Sequence, residues 1–530
     1  MLAGLALSAT IIFFNGNIFT SDPSLPRAEA LAVKNGRIVA LGSNREIMKL
    51  KGPDTRVVDL RGRFVTPGIV DAHLHFLSGS LGLLTLDLRG LSLQECLQKV
   101  KERARQLGPG KWIVGRGWDQ TLWKEKRFPN RRLLDEVAPE NPVYLRRVDG
   151  HTLWVNSLAL KMAGIGKETP DPPGGQILRD ERGFPTGILK ENAASLVKPP
   201  EPSAKEKREA LLKGFRYALE NGVTAVGDMS EQDAPFLYRE LELEGRLPIR
   251  IVYSPFMDFG YRTVSQLREE VERWRSDYIR FGFVKGFIDG TLGSKTAALK
   301  RPYRGSRSTG ILVISPQELF TKVLMYHREG YQIALHAIGD EAVYLGLEAY
   351  RRAQLLYPRP DARHRLEHIQ VYDPRDLRLF AQYSIIPSVQ PCHLLTDIRF
   401  VEDRLGKERA VFSYPWRSFL ELSLPLAFGT DWPVEPIDPR RNFYAAVNRL
   451  GWNTKEAISI EDALKAATIY SAFSLRLEKE LGSLRVGKFA DFVVWDKDFT
   501  RIPPEEYLKN RVLMTVVGGH IVYKNEDFNP

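Results

Sequence analysis

The stretch Val65-Thr-Pro-Gly-Ile-Val-Asp-Ala-His-Leu-His-Phe76 contains an apolar run that ends in one acidic residue and two histidines. Side chains two positions apart on a strand point to the same face, so His73 and His75 can hold one cation at the end of this predicted strand. Imidazole nitrogen is a preferred ligand of zinc and of similar divalent metals. Two nearby histidines can also be chance or core residues, and the rest of the chain decides between these interpretations.

Beyond this stretch, short apolar strands alternate with amphipathic helical patterns. Helices are predicted in most of the intervals, for example over residues 205–220 and 341–356. The predicted strands cover residues 69–74, 223–227, 249–253, 281–288, 331–335, 365–368, 385–389 and 424–428. Eight strands that alternate with helices predict an α/β fold, specifically a TIM-like (β/α)8 barrel.

The interval between the first and second predicted strands is too long for a single crossover. We therefore predict an insertion over residues of about 78–200, which carries Trp112, Trp118, Trp123 and Trp154. Such a segment can cover the active face as a lid, or it can be a subdomain with no role in the site. The lid interpretation predicts that some of these tryptophans line the barrel mouth.

Both ends of the chain are patterned as short strands joined by turns. Residues 9–14, 30–34, 37–41 and 56–60 precede the histidine motif, and residues 487–495, 512–517 and 520–523 lie near the other end. We predict that residues 1–66 and 484–530 pair into one small β-domain. Residues 67–483 are then the barrel with its insertion.

Composition narrows the class of protein. The 530 residues have a net charge of +11, but no basic tract is interleaved with aromatics, so we expect a solvated basic surface and no nucleic-acid partner. Only Cys96 and Cys392 are present, which excludes a disulfide framework and fits a reducing cytoplasm. The apolar start has no positive n-region and runs into Asn15-Gly16, so we predict a buried strand and no membrane span.

Polar residues end several of the predicted strands, where barrel active sites form. Any one of them alone is more simply explained as a core residue. Together with His73 and His75, they are Lys285 in strand four, His336 after strand five, His368 in strand six and Asp431 after strand eight. Their convergence favours a metal centre over packing.

Five segments together resemble the amidohydrolase superfamily. They are residues 62–76, 147–157, 289–295, 429–433 and 482–496. Within the superfamily the chain is most similar to the third amidohydrolase family, the group that contains N-substituted formamide deformylase. The resemblance covers nearly the whole chain and implies a barrel with a β-sandwich built from both termini.

The resemblance also implies a site with two divalent metal ions, for which zinc is our first choice. Its motifs give His73, His75 and Asp431 to the first metal, and His336 and His368 to the second. Lys285 would bridge them as a carboxylated lysine, because a carbamate supplies anionic oxygens where an ammonium would be repelled. The alternative for Lys285, an inward lysine in an apolar strand, is a salt bridge with Asp289 or Glu367.

The function implied is a metal-dependent hydrolase that cuts a non-peptide C–N bond of a small molecule, an amide or formamide-like substrate, by metal-activated hydroxide attack. Asp431 is the implied catalytic residue, which moves the proton to the leaving nitrogen. Alternatives are a deaminase, an esterase or a lyase on the same site, and a non-catalytic relative, which would be expected to lack ligands.

Substrate contacts are predicted from residues in or near the family-like motifs and after strand seven. For each of them, packing or loop structure is an equal alternative. The candidates are Trp118, His151, Thr291 and His393. The aromatic insertion suggests that the substrate carries an apolar or aromatic group, and we expect a homodimer.

Overall fold

The computed structural model describes residues 9–147, 152–172 and 175–530. These residues separate into two compact units. One unit comprises the chain up to Gly79 together with Leu212–Pro530, and the other is Ser80–Leu211. Within the described part of the chain, no helix combines the length and apolar composition needed to cross a bilayer.

The first unit contains two sheets in which all neighbouring strands are parallel. The four-stranded sheet has the order Ile279–Phe281, Arg250–Tyr253, Val223–Asp228, Ile69–Leu74. The five-stranded sheet has the order Val284–Phe287, Ile333–Ala337, Arg365–His368, Ile386–Val389, Ala427–Phe428. Most of these strands are buried along their whole length, as parallel strands covered on both faces must be.

The predicted strands agree closely with these sheets, and the predicted α/β class is confirmed. The strand predicted over 281–288 is instead two short strands, with a break at Gly282. A Cβ at Gly282 would lie 2.5 Å from Val252 Cγ1, and Phe283 N donates to Ser254 Oγ rather than to a strand backbone. The neighbouring strand therefore passes so close to Gly282 that the hydrogen-bond ladder of the sheet is interrupted there.

Helices follow most of the parallel strands and bury one face each. Ser315 is the N-cap residue of Pro316–Arg328, and Gly339 is that of Asp340–Leu356. The helix Ala204–Glu220 begins just after Ser203, whose hydroxyl accepts a hydrogen bond from Glu206 N. The helices that follow the insertion are Ala204–Glu220, Ala234–Leu243, Tyr261–Arg273, Pro316–Arg328, Asp340–Leu356, Leu377–Gln382, His393–Asp397, Val401–Leu405, Lys407–Ala410, Trp416–Glu421, Pro439–Asn448, Ile460–Lys465 and Ser471–Ser474. Two others, Asn44–Ile47 and Phe76–Gly82, precede it.

Strands from the two chain ends pair with each other. Phe492–Trp495 runs antiparallel to Phe64–Pro67, within a sheet of order His520–Lys524, Val512–Val517, Phe492–Trp495, Phe64–Pro67, Asn17–Phe19, Arg27–Ala28. A second sheet has the order Arg37–Gly42, Ala30–Lys34, Ile11–Phe14, Arg56–Asp59, and both sheets contribute to one hydrophobic core. The boundaries at residues 66 and 484 stay a prediction, because both sheets lie in the same compact unit as the parallel strands.

The second unit has its own sheet and its own core. Its strands have the order Gly175–Arg179, Pro185–Glu191, Thr152–Val155, Val143–Arg147, Ile113–Trp118, Leu86–Asp87, and its helices are Leu93–Leu107, Arg131–Val137 and Ser157–Met162. Trp118, Trp123 and Trp154 are buried and pack on one another with ring centroids 5.8–6.1 Å apart. Trp112 packs against a second cluster of this unit. The tryptophans that suggested a lid are therefore core residues of the unit that carries them.

Candidate metal centre

The ends of the parallel strands bring the predicted ligands together around Asp431. Its Oδ1 lies 3.4 Å from His73 Nε2 and 3.3 Å from His75 Nε2. The ring centroid of His368 is 4.8 Å from that of His73 and 4.4 Å from that of His336. One ligand atom each of His73, His368 and Asp431 lies within 4.8 Å of the others, and all three residues are buried. This set of nitrogen and oxygen donors is one that divalent metals prefer.

Each of the four histidines uses one ring nitrogen in a hydrogen bond to an oxygen of the surrounding protein. The pairs are His73 Nδ1 with Glu367 Oε2 (2.5 Å), His75 Nδ1 with Met229 O (2.8 Å), His336 Nε2 with Gly290 O (3.1 Å) and His368 Nδ1 with Gln390 Oε1 (2.7 Å). An oxygen acceptor fixes that nitrogen as the N–H donor, which leaves the lone pair on the other one. The second nitrogen of His73 is buried without a hydrogen-bond partner. The residues therefore fit a bound metal.

Burial lowers the pKa of His73, His336 and His368 and so favours the neutral imidazole that metal ligation requires. It lowers the pKa of His336 to about 3, with a further contribution from the Lys285 ammonium, and it lowers the pKa of His368 well below its usual value. His75 differs, because the Asp431 carboxylate outweighs burial and raises its pKa.

The loop that carries Asp431 is tied to the first strand. Asp431 N donates to His73 O at 2.7 Å, and a Cβ at Gly429 would lie 2.6 Å from the Cβ of His73, so only glycine fits there. Asp71 accepts hydrogen bonds from Thr430 N, Thr430 Oγ1 and His73 N, which makes it a brace between the two strand ends. Burial opposes ionisation of Asp431, but the imidazoles of His73 and His75 hold its pKa well below the usual range.

Lys285 is 1% exposed and lies on the strand that pairs with Ile333–Ala337, which carries His336. Its Nζ is 5.2 Å from the ring centroid of Phe287, which is 5.6 Å from that of His336. Its positive charge disfavours the protonated form of each of the four histidines. Burial lowers its own pKa to about 8, against the opposing charges of Glu367 and Asp431. Among the described residues, no carboxylate oxygen lies within 4.0 Å of the Lys285 Nζ, so Lys285 forms no salt bridge with them. The structure therefore does not contain the simple ion pair with Asp289 or Glu367.

Sequence reasoning named Glu367 only as a candidate ion-pair partner of Lys285, whereas the structure shows it supporting His73. It is fully buried and accepts two hydrogen bonds from Arg365, at 2.8 and 3.0 Å, besides the one from His73. Burial opposes its ionisation, but the charges of Arg365 and His73 hold its pKa well below the usual range. The sequence did contain one indication of this support. Arg365 and Glu367 are two residues apart in one strand, so their charged side chains point to the same face.

Replacing Glu367 with glutamine is expected to weaken zinc binding about 10–100-fold, the usual effect of losing a carboxylate that orients a ligating histidine. Zinc titration against a competing chelator measures this. Asp491→Asn is the matched control, because Asp491 forms a buried bidentate pair with Arg250 (2.7 and 2.9 Å) and otherwise accepts from Gly518 N. The control should lower stability but leave zinc affinity unchanged. Wild-type zinc affinity in Glu367→Gln would contradict the assigned role.

The predicted substrate contacts have different surroundings. His393 is buried beside the ligands: its ring stacks on His368 with centroids 5.9 Å apart, and its Nε2 lies 3.7 Å from Asp431 Oδ2. Thr291 is exposed in a turn, with its hydroxyl 2.8 Å from Ser294 Oγ. Trp118 donates from its indole nitrogen to Leu145 O inside the core of the second unit, so it offers no free polar group. His151 lies outside the described residues.

Comparison with known proteins places these residues in a family context. A model described as "Amidohydrolase family" matches residues 56–523. Protein LONG AFTER FAR-RED 3 of Arabidopsis thaliana is 38% identical over 97% of this chain and 92% of its own length. N-substituted formamide deformylase of Arthrobacter pascens is 29% identical over 97% of this chain and 98% of its own. The crystal structure of an uncharacterized metal-dependent hydrolase from Pyrococcus furiosus has a TM-score of 0.77 at 30% identity and covers 93% of this chain and 100% of its own.

Proposed function

The chain belongs to the amidohydrolase family, and on that premise we propose that it hydrolyses a non-peptide C–N bond of a small-molecule amide or formamide-like substrate. One observation carries the proposal. Four histidines are each held by one ring nitrogen, and His73 Nε2 and His75 Nε2 face the buried carboxylate of Asp431. A packing role does not need four rings fixed in this way, whereas metal ligation does.

We propose two divalent metals, zinc by first choice. His73, His75 and Asp431 would hold one and His336 and His368 the other, with Lys285 carboxylated between them. When bound, such ions lower the pKa of a water molecule and polarise a carbonyl. The buried position of Lys285, on the strand beside the one that carries His336 and without an ion-pair partner within the described residues, supports its modification.

The two oxygens of Asp431 support a division of labour. Oδ1 faces His73 and His75, while Oδ2 lies 3.7 Å from His393 Nε2. Asp431 can therefore ligate through Oδ1 and carry a proton at Oδ2, which it takes from the attacking water and passes to the leaving nitrogen.

His393 is proposed as a hydrogen-bond donor to the substrate. Gln370 Nε2 lies 3.2 Å from His393 Nδ1, so Nδ1 accepts and Nε2 carries the hydrogen. That Nε2 is buried without a hydrogen-bond partner. A substrate oxygen within hydrogen-bond distance of this Nε2 would satisfy it. Thr291, next to the Gly290 carbonyl that holds His336, stays a predicted contact, as does His151.

The proposal includes closure of the two parallel sheets into one eight-stranded barrel, in which Ile279–Phe281 and Val284–Phe287 count as the two halves of one strand. Two observations support it. Phe256 forms a parallel bridge with Lys285 at one junction, and Asp431 N donates to His73 O at the other. We also propose a β-sandwich from the two chain ends, a homodimer and a cytoplasmic location, the last supported by two buried free thiols.

The formamide-like substrate rests on similarity to N-substituted formamide deformylase, whose name describes that reaction. Deamination, ester hydrolysis and a lyase step remain the alternative reactions. A non-catalytic relative is disfavoured because all six predicted ligand positions are filled.

A substrate panel separates amide hydrolysis from ester hydrolysis and deamination. Zinc-loaded protein is incubated with N-alkylformamides, N-alkylacetamides, the matched alkyl esters and an aminopyrimidine. We expect release of amine and carboxylate from an amide, with kcat within the usual 1–10³ s⁻¹ for the best substrate, roughly. Turnover confined to the esters, or ammonia released only from the aminopyrimidine, would replace the proposed reaction with the corresponding alternative.

A further inference from the structure

Two phenylalanines, Phe256 and Phe287, stand between the histidines of the two predicted metal positions. The ring of Phe256 stacks on His75, with centroids 6.1 Å apart and planes 17° from parallel. Phe256 in turn stacks on Phe287 at 5.9 Å and 25°, and the centroid of Phe287 lies 5.6 Å from that of His336. The four rings therefore form a continuous row, His75–Phe256–Phe287–His336.

The backbone fixes this row where the predicted chemistry occurs. Phe287 is two residues beyond Lys285 on the same strand, so both side chains point to the same face, and the Lys285 Nζ lies 5.2 Å from the Phe287 ring centroid. Phe256 is bridged to Lys285 by backbone pairing. Neither phenylalanine can move far without disturbing the strand that carries Lys285.

Both residues keep exposed surface beside His75 and His336, the predicted metal ligands that their rings contact. Phe256 and Phe287 are only half-buried. A bound molecule that covers a flat, exposed apolar ring gains binding free energy, because the covered surface is removed from water.

We infer that Phe256 and Phe287 form an aromatic wall that selects substrates carrying a flat apolar group, such as a phenyl ring, close to the scissile bond. This inference rests on the proposed function, because it concerns the same site. It moves the predicted apolar specificity from the tryptophans, which pack inside the second unit, to two phenylalanines beside the ligands.

Hydroxamate binding tests the wall without turnover. Calorimetry compares phenylacetohydroxamate with acetohydroxamate on zinc-loaded protein, since both probes bear the same metal-binding group. The wild type is expected to bind the phenyl probe about tenfold more tightly, a ratio in line with partial burial of one ring. Phe256→Ala and Phe287→Ala should reduce this ratio towards one.

Phe281→Ala is the matched control. Phe281 is also half-buried and lies on the neighbouring short strand, but its ring contacts Tyr331 instead of a ligand. It should keep the wild-type ratio. Phe287→Leu, which keeps apolar volume but removes the flat ring, should give an intermediate ratio and serves if an alanine variant does not fold.

Three outcomes overturn the inference, and they are distinguishable. A wild type that binds acetohydroxamate without preferring the phenyl probe removes the wall but leaves the proposed function standing. An unchanged ratio in Phe256→Ala, Phe287→Ala and Phe287→Leu does the same. If neither probe binds the zinc-loaded wild type, the proposed metal centre fails and the wall fails with it.

Discussion

Replacing Asp431 with asparagine is expected to lower kcat by about 10²–10⁴-fold, the usual effect of losing a general acid–base. Asparagine keeps the shape of the side chain and an oxygen that can face His73 and His75, but it cannot carry the proton assigned to Oδ2. The measurement is kcat on the best amide of the substrate panel, together with the zinc content of the variant.

Asp438→Asn is the matched control, seven residues further along the same segment. Asp438 caps the helix Pro439–Asn448 by accepting from Arg440 N at 3.0 Å, and asparagine is an equally good cap. The control should leave kcat within about twofold, since caps of this rank differ by only a few tenths of a kcal/mol. An Asp431→Asn variant that retains zinc and near-wild-type kcat would remove Asp431 from the proton path.

Replacing Lys285 with alanine is expected to remove bound zinc and activity together. If Lys285 is carboxylated, the variant loses the bridging anionic oxygens, and a short carboxylic acid such as formate, acetate or propionate should restore part of both. The acid series is added to Lys285→Ala at constant zinc, with zinc content and amide turnover measured side by side. A variant that keeps its zinc and its full activity would show that Lys285 is structural.

Lys488→Ala is the control for removing a buried lysine. Burial also lowers the pKa of Lys488 to about 8, but its Nζ donates to Ser483 Oγ at 2.7 Å and to Leu481 O at 3.0 Å. Its loss should reduce the free energy of unfolding without changing zinc content, and added carboxylic acids should have no effect. Rescue of both variants by the acids would indicate a nonspecific effect of the anion.

The clustering of the candidate metal ligands could be predicted because each candidate is fixed by local sequence. His73, His368 and Asp431 sit at or just beyond the ends of strands whose apolar runs are evident, and parallel strands place those ends together. The first and sixth predicted strands agree with the structure residue for residue, as Ile69–Leu74 and Arg365–His368. The resemblance to the amidohydrolase family is confirmed by the match over residues 56–523.

The supports of the ligands could not be predicted, because they depend on contacts between strands. Glu367 meets His73 across 294 positions of sequence, and Gln390 meets His368 from the next strand. Which side chains meet across two strands depends on the register of the strands and on the direction of each side chain. Neither can be predicted from the sequence of one strand alone. The spacing of Arg365 and Glu367 predicts that both side chains point to the same face of the strand, but it does not identify His73 as the partner of Glu367.

The role of the tryptophans could not be predicted for a different reason. Aromatic residues supply large apolar area to a core as readily as to a binding surface, and composition does not separate the two uses. In Ser80–Leu211 they form the core, whereas the rings beside the ligands are Phe256 and Phe287. These two phenylalanines carry no sequence signal beyond their place next to strand ends.

Metal content distinguishes a binuclear metal-dependent hydrolase from a protein that uses no metal. Purified protein is analysed by inductively coupled plasma mass spectrometry, stripped with a chelator, assayed for amide hydrolysis, reloaded with zinc and assayed again. We expect two divalent ions per chain, loss of activity on stripping and recovery on reloading. Full amide turnover by the stripped protein, or a reloaded protein that takes up no zinc, would contradict this expectation.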